Sequence, residues 1–312
     1  MNGMKIMKDE VVCSFDIGGS KVVSARVGDG FCVTEVGREQ TCATDFTGFC
    51  EQIRRMAMQV GGDAPVAISV AGVVHPSTGI VLSANIPAIH QRPLAQELSA
   101  LIGRDVYVLN DASAFGLAEA VAGVGKNRET VFAAIIGTGI GGAVILNQRC
   151  LTGADGNAGE WGHGPASAMR TGCLLPRLSC GCGQVGCVDT LGGARGLERL
   201  HHHLCTDSAS SKSILSKWHA GDPDAAYTVD VFVDIVGGAL ANMINFIGPD
   251  IVPLGGGLAG DTALVAALNT EVNNRRLGQN NTDLLIRAVD GPERGLIGAA
   301  IYAKEMRHGC NA

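Results

Sequence analysis

His163, Cys180, Cys182 and Cys187 fall within one glycine-rich stretch of the chain. Three thiolates and one imidazole are the donor set of a closed tetrahedral Zn²⁺ site. Four protein ligands leave no open position for an activated water, so the ion such a set implies is structural. Glu160 precedes His163 by three residues, and a carboxylate beside an imidazole suits neighbouring hydroxyl groups. Asn110-Asp111 closes a short apolar run, Val106 to Leu109. The carboxyl end of a buried strand is where open α/β sheets gather ligands. A carboxylate there can accept the proton of an alcohol during phosphoryl transfer. Asp and Asn are also preferred helix N-caps, so one of the pair can cap while the other does chemistry.

Gly137, Gly139 and Gly142 fit the pattern GxGxxG after an apolar run. A dinucleotide-binding unit needs a helix to open at such a loop. Here Ala143-Val144-Ile145-Leu146 follows, a β-type run, and no GxxxxGK[ST] loop occurs anywhere. A strand, a glycine turn and a returning strand instead make a hairpin whose backbone N–H groups approach phosphate oxygens without a Cβ in the way. Asp16-Ile17-Gly18-Gly19-Ser20-Lys21 has the same construction. Asp16 at the strand end can hold Mg²⁺ through water, and Ser20 and Lys21 can reach phosphate. With Gly255, Gly256 and Gly257, these loops point to nucleotide binding. They account for part of a glycine content of 44 in 312 residues, twice the usual share of about 7%.

The elements that must position these residues alternate. Strands are expected at Val11–Asp16, Lys21–Val27, Phe31–Val36, Val66–Val70 and Val106–Leu109, with helices at Phe46–Val60, Leu94–Leu101 and Ala112–Ala122. Val131–Ile136, a glycine turn and Ala143–Leu146 then repeat the opening hairpin as a loose internal echo. Helices at Leu191–Cys205, Ile214–Ala220, Tyr227–Phe246 and Gly295–Met306 and a strand at Ile251–Leu254 complete an α/β chain with two lobes. Residues 1–122 with 294–312 form the expected N-terminal lobe, and 123–293 the C-terminal lobe with the metal cluster. His201-His202-His203 diverge around a helix axis and cannot chelate together.

Net charge −6 argues against nucleic-acid or anionic-membrane partners. No run approaches about 18 uninterrupted apolar residues, and Met1–Glu10 lacks the apolar stretch of a secretory signal. A cytoplasmic protein is expected. The other cysteines, Cys310 among them, are then buried hydrophobes or idle thiols.

DIGGSK at Asp16–Lys21, GTGIGG at Gly137–Gly142 and LGGG at Leu254–Gly257 resemble the two phosphate motifs and the adenosine motif of the actin/hexokinase superfamily. NDA at Asn110–Ala112, EWGH at Glu160–His163 and CGCGQVGC at Cys180–Cys187 narrow the resemblance to the ROK family of sugar kinases and repressors. The resemblance implies a two-lobed actin-like, ribonuclease H-like fold with nucleotide and sugar in the interlobe cleft. It implies Asp111 as base, and Gly72, Asn85, Asn110, Asp111, Glu160, His163 and Asp189 on the sugar. It implies Asp16, Gly18, Gly19, Ser20, Lys21, Gly137, Thr138, Gly139, Gly141, Gly142 and Gly255–Gly257 on ATP and Mg²⁺. The family's usual Glu is Asp189 in this chain, and Ala71-Gly72 replaces its common Pro-Gly. Family repressors carry a helix-turn-helix domain ahead of the first hairpin, where this chain has about a dozen residues; a non-catalytic sugar sensor is therefore the lesser reading. Ser83-Ala84-Asn85-Ile86-Pro87 followed by Pro93-Leu94 resembles the N-acetylglucosamine kinases. N-acetylmannosamine kinases and glucokinases are the alternatives, and a homodimer is the family's common state.

Overall fold

The computed structural model describes residues 10–278, 283–288, 291 and 293–309. Cys310 and the last residues of the expected C-terminal segment lie outside them. The chain opens with strands β1 (Val12–Ile17), β2 (Lys21–Val27) and β3 (Val33–Gln40), then helix α1 (Phe46–Val60) and strand β4 (Val66–Val70). Short strands β5 (Val73–Val74), β6 (Ile80–Leu82) and β7 (Arg92–Pro93) form a small sheet of their own before helix α2 (Leu94–Ile102). β8 (Val106–Asn110) runs into α3 (Asp111–Ala122), followed by β9 (Thr130–Ile136), β10 (Ile140–Leu146) and β11 (Arg149–Leu151). Helices α4 (Asp189–Gly192), α5 (Ala194–Cys205), α6 (Ser211–His219) and α7 (Pro223–Ile247) come next. β12 (Val252–Gly255), α8 (Thr262–Arg275), β13 (Leu285–Arg287) and α9 (Glu293–Gly309) end the described chain.

The chain divides into two compact units. The described residues up to Asn127, those of Val144–Ala158 and those from 291 onward form unit 1; the rest form unit 2. The division falls inside β10, and it assigns 144–158 to unit 1, where the sequence boundary at 122/123 had put them with the second lobe.

Unit 1 is built on a sheet of order β3-β2-β1-β4-β8, with β1, β4 and β8 parallel. Alternation along β1 decides what faces what. Cys13, Phe15 and Ile17 join Phe49, Ile53, Met56, Leu94 and Leu98 of α1 and α2 in one buried core. Ser14 and Asp16 point to the opposite face, where a Cβ on Gly295 of α9 would lie 2.6 Å from Asp16 Oδ1. Helix α9 also crosses α3 closely, since a Cβ on Gly298 would overlap the Ala114 carbonyl. Arg294 pairs there with the fully buried Glu119 at 3.1 Å.

The second sheet has the order β11-β10-β9-β12-β13, in which β9, β12 and β13 are parallel. Position for position this repeats the order of the first sheet, so the echo of the two glycine hairpins extends to whole sheets. Helix α7 is the core helix of unit 2. Asp222 caps its start ahead of Pro223, and Gly248 ends it in the left-handed conformation. Its length and composition would allow it to cross a membrane, but 61% of its most apolar stretch is buried within the protein. Loop 165–173 is pinned to α7 by Asp234, which is fully buried and accepts from the Thr171 N–H at 2.7 Å and hydroxyl at 2.8 Å.

Candidate functional site

In unit 1 the sequence-predicted residues gather at the carboxyl ends of β1, β4 and β8. The β1–β2 turn closes with Gly18 N–H donating to the Lys21 carbonyl at 2.9 Å. The Thr41 hydroxyl holds the Gly18 carbonyl at 2.6 Å. Gly19 is obligatory for a steric reason: a Cβ there would stand 2.8 Å from the Asn85 carbonyl oxygen. This close approach sets the Asn85 loop directly against the hairpin. The same loop is tied to Ala71-Gly72, because the Ser83 hydroxyl donates to the Ala71 carbonyl at 2.6 Å. A Cβ on Gly72 would meet the Leu82 carbonyl at 2.7 Å. Asp16 accepts a hydrogen bond from the Ser69 hydroxyl at 3.0 Å. Burial pushes the Asp16 carboxyl above the usual carboxylate range, and the Ser69 bond and the Lys21 charge pull against that rise.

Asn110 and Asp111 divide their duties. The Asn110 side chain caps α3 by accepting from the Ser113 N–H at 3.0 Å, and its amide donates to the Gly72 carbonyl at 3.0 Å. Asp111 is the first helical residue, with one carboxylate oxygen 2.9 Å from its neighbour's N–H, and it is exposed. The cap is therefore filled without Asp111, whose carboxylate faces outward at the strand end.

In unit 2 the hairpin Gly137–Gly142 is enclosed by glycine contacts. A Cβ on Gly256 would meet the Ile136 carbonyl at 2.5 Å, and one on Gly193 would meet Gly139 Cα at the same distance. Trp161 packs over the returning strand and donates from Nε1 to the Gly141 carbonyl at 2.8 Å. Asp189 reaches the hairpin directly, since its Oδ1 accepts from the Ile140 N–H at 2.7 Å.

The metal-cluster residues converge as the sequence spacing predicts. The ligand atoms of His163, Cys180, Cys182 and Cys187 all lie within 4.8 Å of one another. Zn–S bonds of about 2.3 Å and Zn–N bonds of about 2.0 Å at tetrahedral angles give S···S edges of about 3.8 Å and N···S edges of about 3.5 Å. Cys182 Sγ and Cys187 Sγ are 3.7 Å apart, and His163 Nδ1 lies 3.5 Å from Cys180 Sγ. The four donors fit a tetrahedral ion in type, and these two distances match its edges. His163 Nε2 faces the other way, 3.5 Å from Glu160 Oε2. Burial raises the Glu160 carboxyl; the His163 charge opposes the rise and the Asp189 charge adds to it.

Sequence reasoning missed Ser69 and Gly295 beside Asp16, Trp161 as the lid on the second hairpin, and the bond from Asp189 to Ile140. Trp161 carried a signal, standing between Glu160 and Gly162 in the motif itself. Ser69 and Gly295 carried none, because only the folded register brings them to Asp16.

Two glycine hairpins at the ends of two like-ordered sheets, with a carboxylate at a strand end, define a phosphate-binding protein of the actin-like class. Residues 12–306 match the ROK family, and the chain belongs to it. It is 34% identical over 304 residues to the N-acetylgalactosamine kinase AgaK of Shewanella sp. (strain ANA-3), covering 95% of this chain and 96% of that one. It is 32% identical over 293 residues to an N-acetyl-D-glucosamine kinase of Salmonella gallinarum (strain 287/91 / NCTC 13346), covering 92% and 97%. Among solved structures, the ROK glucokinase of Streptomyces griseus in complex with glucose and AMPPNP superposes with a TM-score of 0.75 at 25% identity, covering 93% and 98%.

Proposed function

We infer that this chain is an ATP-dependent sugar kinase that phosphorylates the 6-hydroxyl of an N-acetylhexosamine, with N-acetylglucosamine as its best acceptor. The observation that carries the reading is Asp111, a carboxylate at a strand end whose capping role is already filled by Asn110. In the reaction Asp111 accepts the hydroxyl proton as the oxygen attacks the terminal phosphorus of ATP. The backbone N–H groups of the two hairpins and of Gly255–Gly257 hold the phosphates and the adenosine, and Asp16 is the residue that would hold Mg²⁺. The ion supplies charge neutralisation of the transferring phosphoryl group. Glu160, His163, Asn110, Asn85 and Asp189 are assigned to sugar hydroxyls, His163 through the ring nitrogen turned away from the cysteines.

The cysteine cluster is assigned a structural Zn²⁺. N-acetylgalactosamine is the second reading for the acceptor, favoured by the identity to AgaK. The chain is proposed to work in the cytoplasm as a homodimer. Exposed Met169 and Phe246, which line a surface cavity of about 610 Å³ in unit 2, support a self-association surface. A monomeric mass in solution at assay concentration would remove the dimer. The kinase reading is tested by ADP release from ATP-Mg²⁺ over a panel of N-acetylglucosamine, N-acetylgalactosamine, N-acetylmannosamine and glucose. No ADP release with any of them would refute it.

A further inference from the structure

The two hairpins differ in charge. The first contains the cation Lys21 beside the anion Asp16, whereas Gly137–Gly142 contains no charged residue at all. Backbone N–H groups alone offer partial charges to a nucleotide that carries full negative ones, so a cation beside the second hairpin has a function to fill.

Helix α5 is latched to that hairpin at its start. Ala194 N–H donates to the Gly137 carbonyl at 2.8 Å, and Arg195 N–H donates to the Thr138 carbonyl at 3.3 Å. The approach is possible because the preceding residue is Gly193, whose absent Cβ would otherwise overlap Thr138 and Gly139. The latch fixes the backbone of Arg195, whose side chain lines one cavity of about 440 Å³ together with Thr138 and Gly139. Arg195 is exposed, and among the described residues no carboxylate pairs with its guanidinium. The other two charged side chains lining this cavity are already engaged. Arg199 donates twice to the Thr190 carbonyl, at 2.9 and 2.7 Å. Asp189 accepts from the Ile140 N–H.

We propose that Arg195 is the cation that grips the phosphate chain of the nucleotide on the second glycine hairpin. The proposal rests on the nucleotide-binding reading of that hairpin and adds a residue that none of the glycine motifs contains. A guanidinium suits the position because its planar fork donates two parallel hydrogen bonds to phosphate oxygens. Its backbone is held by the same hairpin that receives the phosphates, so only the side chain has to be ordered when the ligand arrives.

The test compares ADP and adenosine binding to wild type, Arg195→Gln and Arg195→Lys by calorimetry, with melting temperatures as the check on folding. Arg195→Gln is expected to weaken ADP by about tenfold or more, the scale of a lost charge-assisted hydrogen bond. Adenosine affinity and the KM for sugar should stay unchanged, and Arg195→Lys should recover part of the ADP affinity. Wild-type ADP affinity in Arg195→Gln overturns the assignment. So does an equal loss for adenosine, which would move the contact from phosphate to nucleoside. A wild-type protein that neither binds ADP nor turns over ATP sinks the kinase reading itself, and this proposal with it.

Discussion

At Asn110 the side chain both closes helix α3 and fastens it to Gly72, so the cap of the helix does not depend on the neighbouring carboxylate. Asp111→Ala should therefore leave the melting temperature and sugar binding close to wild type. Its kcat should fall by about 10²- to 10⁴-fold, the range a general base contributes. Near-normal turnover would mean another group accepts the proton. Asp16 gives a prediction in pH. Burial raises its carboxyl, and the Ser69 hydroxyl holds the rise in check by hydrogen bonding to the charged form. The ionised form is the one that would hold Mg²⁺, so activity is present above the raised pKa and is lost as pH falls through it. Ser69→Ala removes a hydrogen bond that lowers the pKa, and the acid limb of the kcat/KM profile should move to higher pH. An unmoved or lowered limb would count against Asp16 as the titrating group.

Between β11 and α4 the chain has little regular structure. Trp161–His163 forms one short turn of helix, and isolated bridges join Pro165 to Cys187 and Ser179 to Val185. Such a segment needs another source of order, and ligation energy of a structural ion is partly folding energy. One Zn²⁺ per chain is expected by elemental analysis, and Cys182→Ser should lower the melting temperature and sugar affinity together. Because Asp189 follows Cys187 closely and bonds the Ile140 N–H, loss of the ion should also raise the KM for ATP. Protein purified without chelator and found free of zinc would refute the assignment. The elements whose bounds match expectation were those with a plain apolar signal, such as α1, which buries one face, and β4, an apolar run buried on both. Three features escaped sequence periodicity for physical reasons. The break at Gly193 is set by the approach of α5 to the hairpin, a tertiary contact. The strands β5 to β7 are too short to carry a period of two. Helix α8 went unread although Asp261 caps it and Leu264, Leu268 and Val272 repeat at helical spacing; polar residues between them blurred the pattern.

Across the whole chain, the motifs were legible because glycine, aspartate and cysteine are placed by backbone and ligand chemistry that sequence displays directly. The acceptor was not, because selectivity among sugars depends on where side chains of the loops stand to within a hydrogen bond. The family relation covers residues 12–306, and the two curated relatives named above act on sugars that share the N-acetyl group and differ at one hydroxyl. A site that hydrogen-bonds a substrate group rejects analogues lacking it far more strongly than an apolar pocket rejects a missing methyl. The N-acetylhexosamines should then exceed glucose in kcat/KM. Choice between the epimers falls to the carboxylate and imidazole groups assigned to hydroxyls. Asp189 is the departure from the family pattern among them, and its short arm is drawn to the Ile140 N–H at 2.7 Å. A glutamate would reach further from the same backbone position, toward Glu160 or the sugar, and would lose that hold on the hairpin. Asp189→Glu should accordingly change the ratio of kcat/KM between N-acetylglucosamine and N-acetylgalactosamine while leaving the chemistry intact, and it should raise the KM for ATP. Competition between the sugars in one reaction reads the ratio directly. If N-acetylgalactosamine or glucose wins in the wild type, the acceptor assignment falls and the kinase assignment stands. If Asp189→Glu changes the KM for ATP with the sugar ratio fixed, Asp189 serves the hairpin alone.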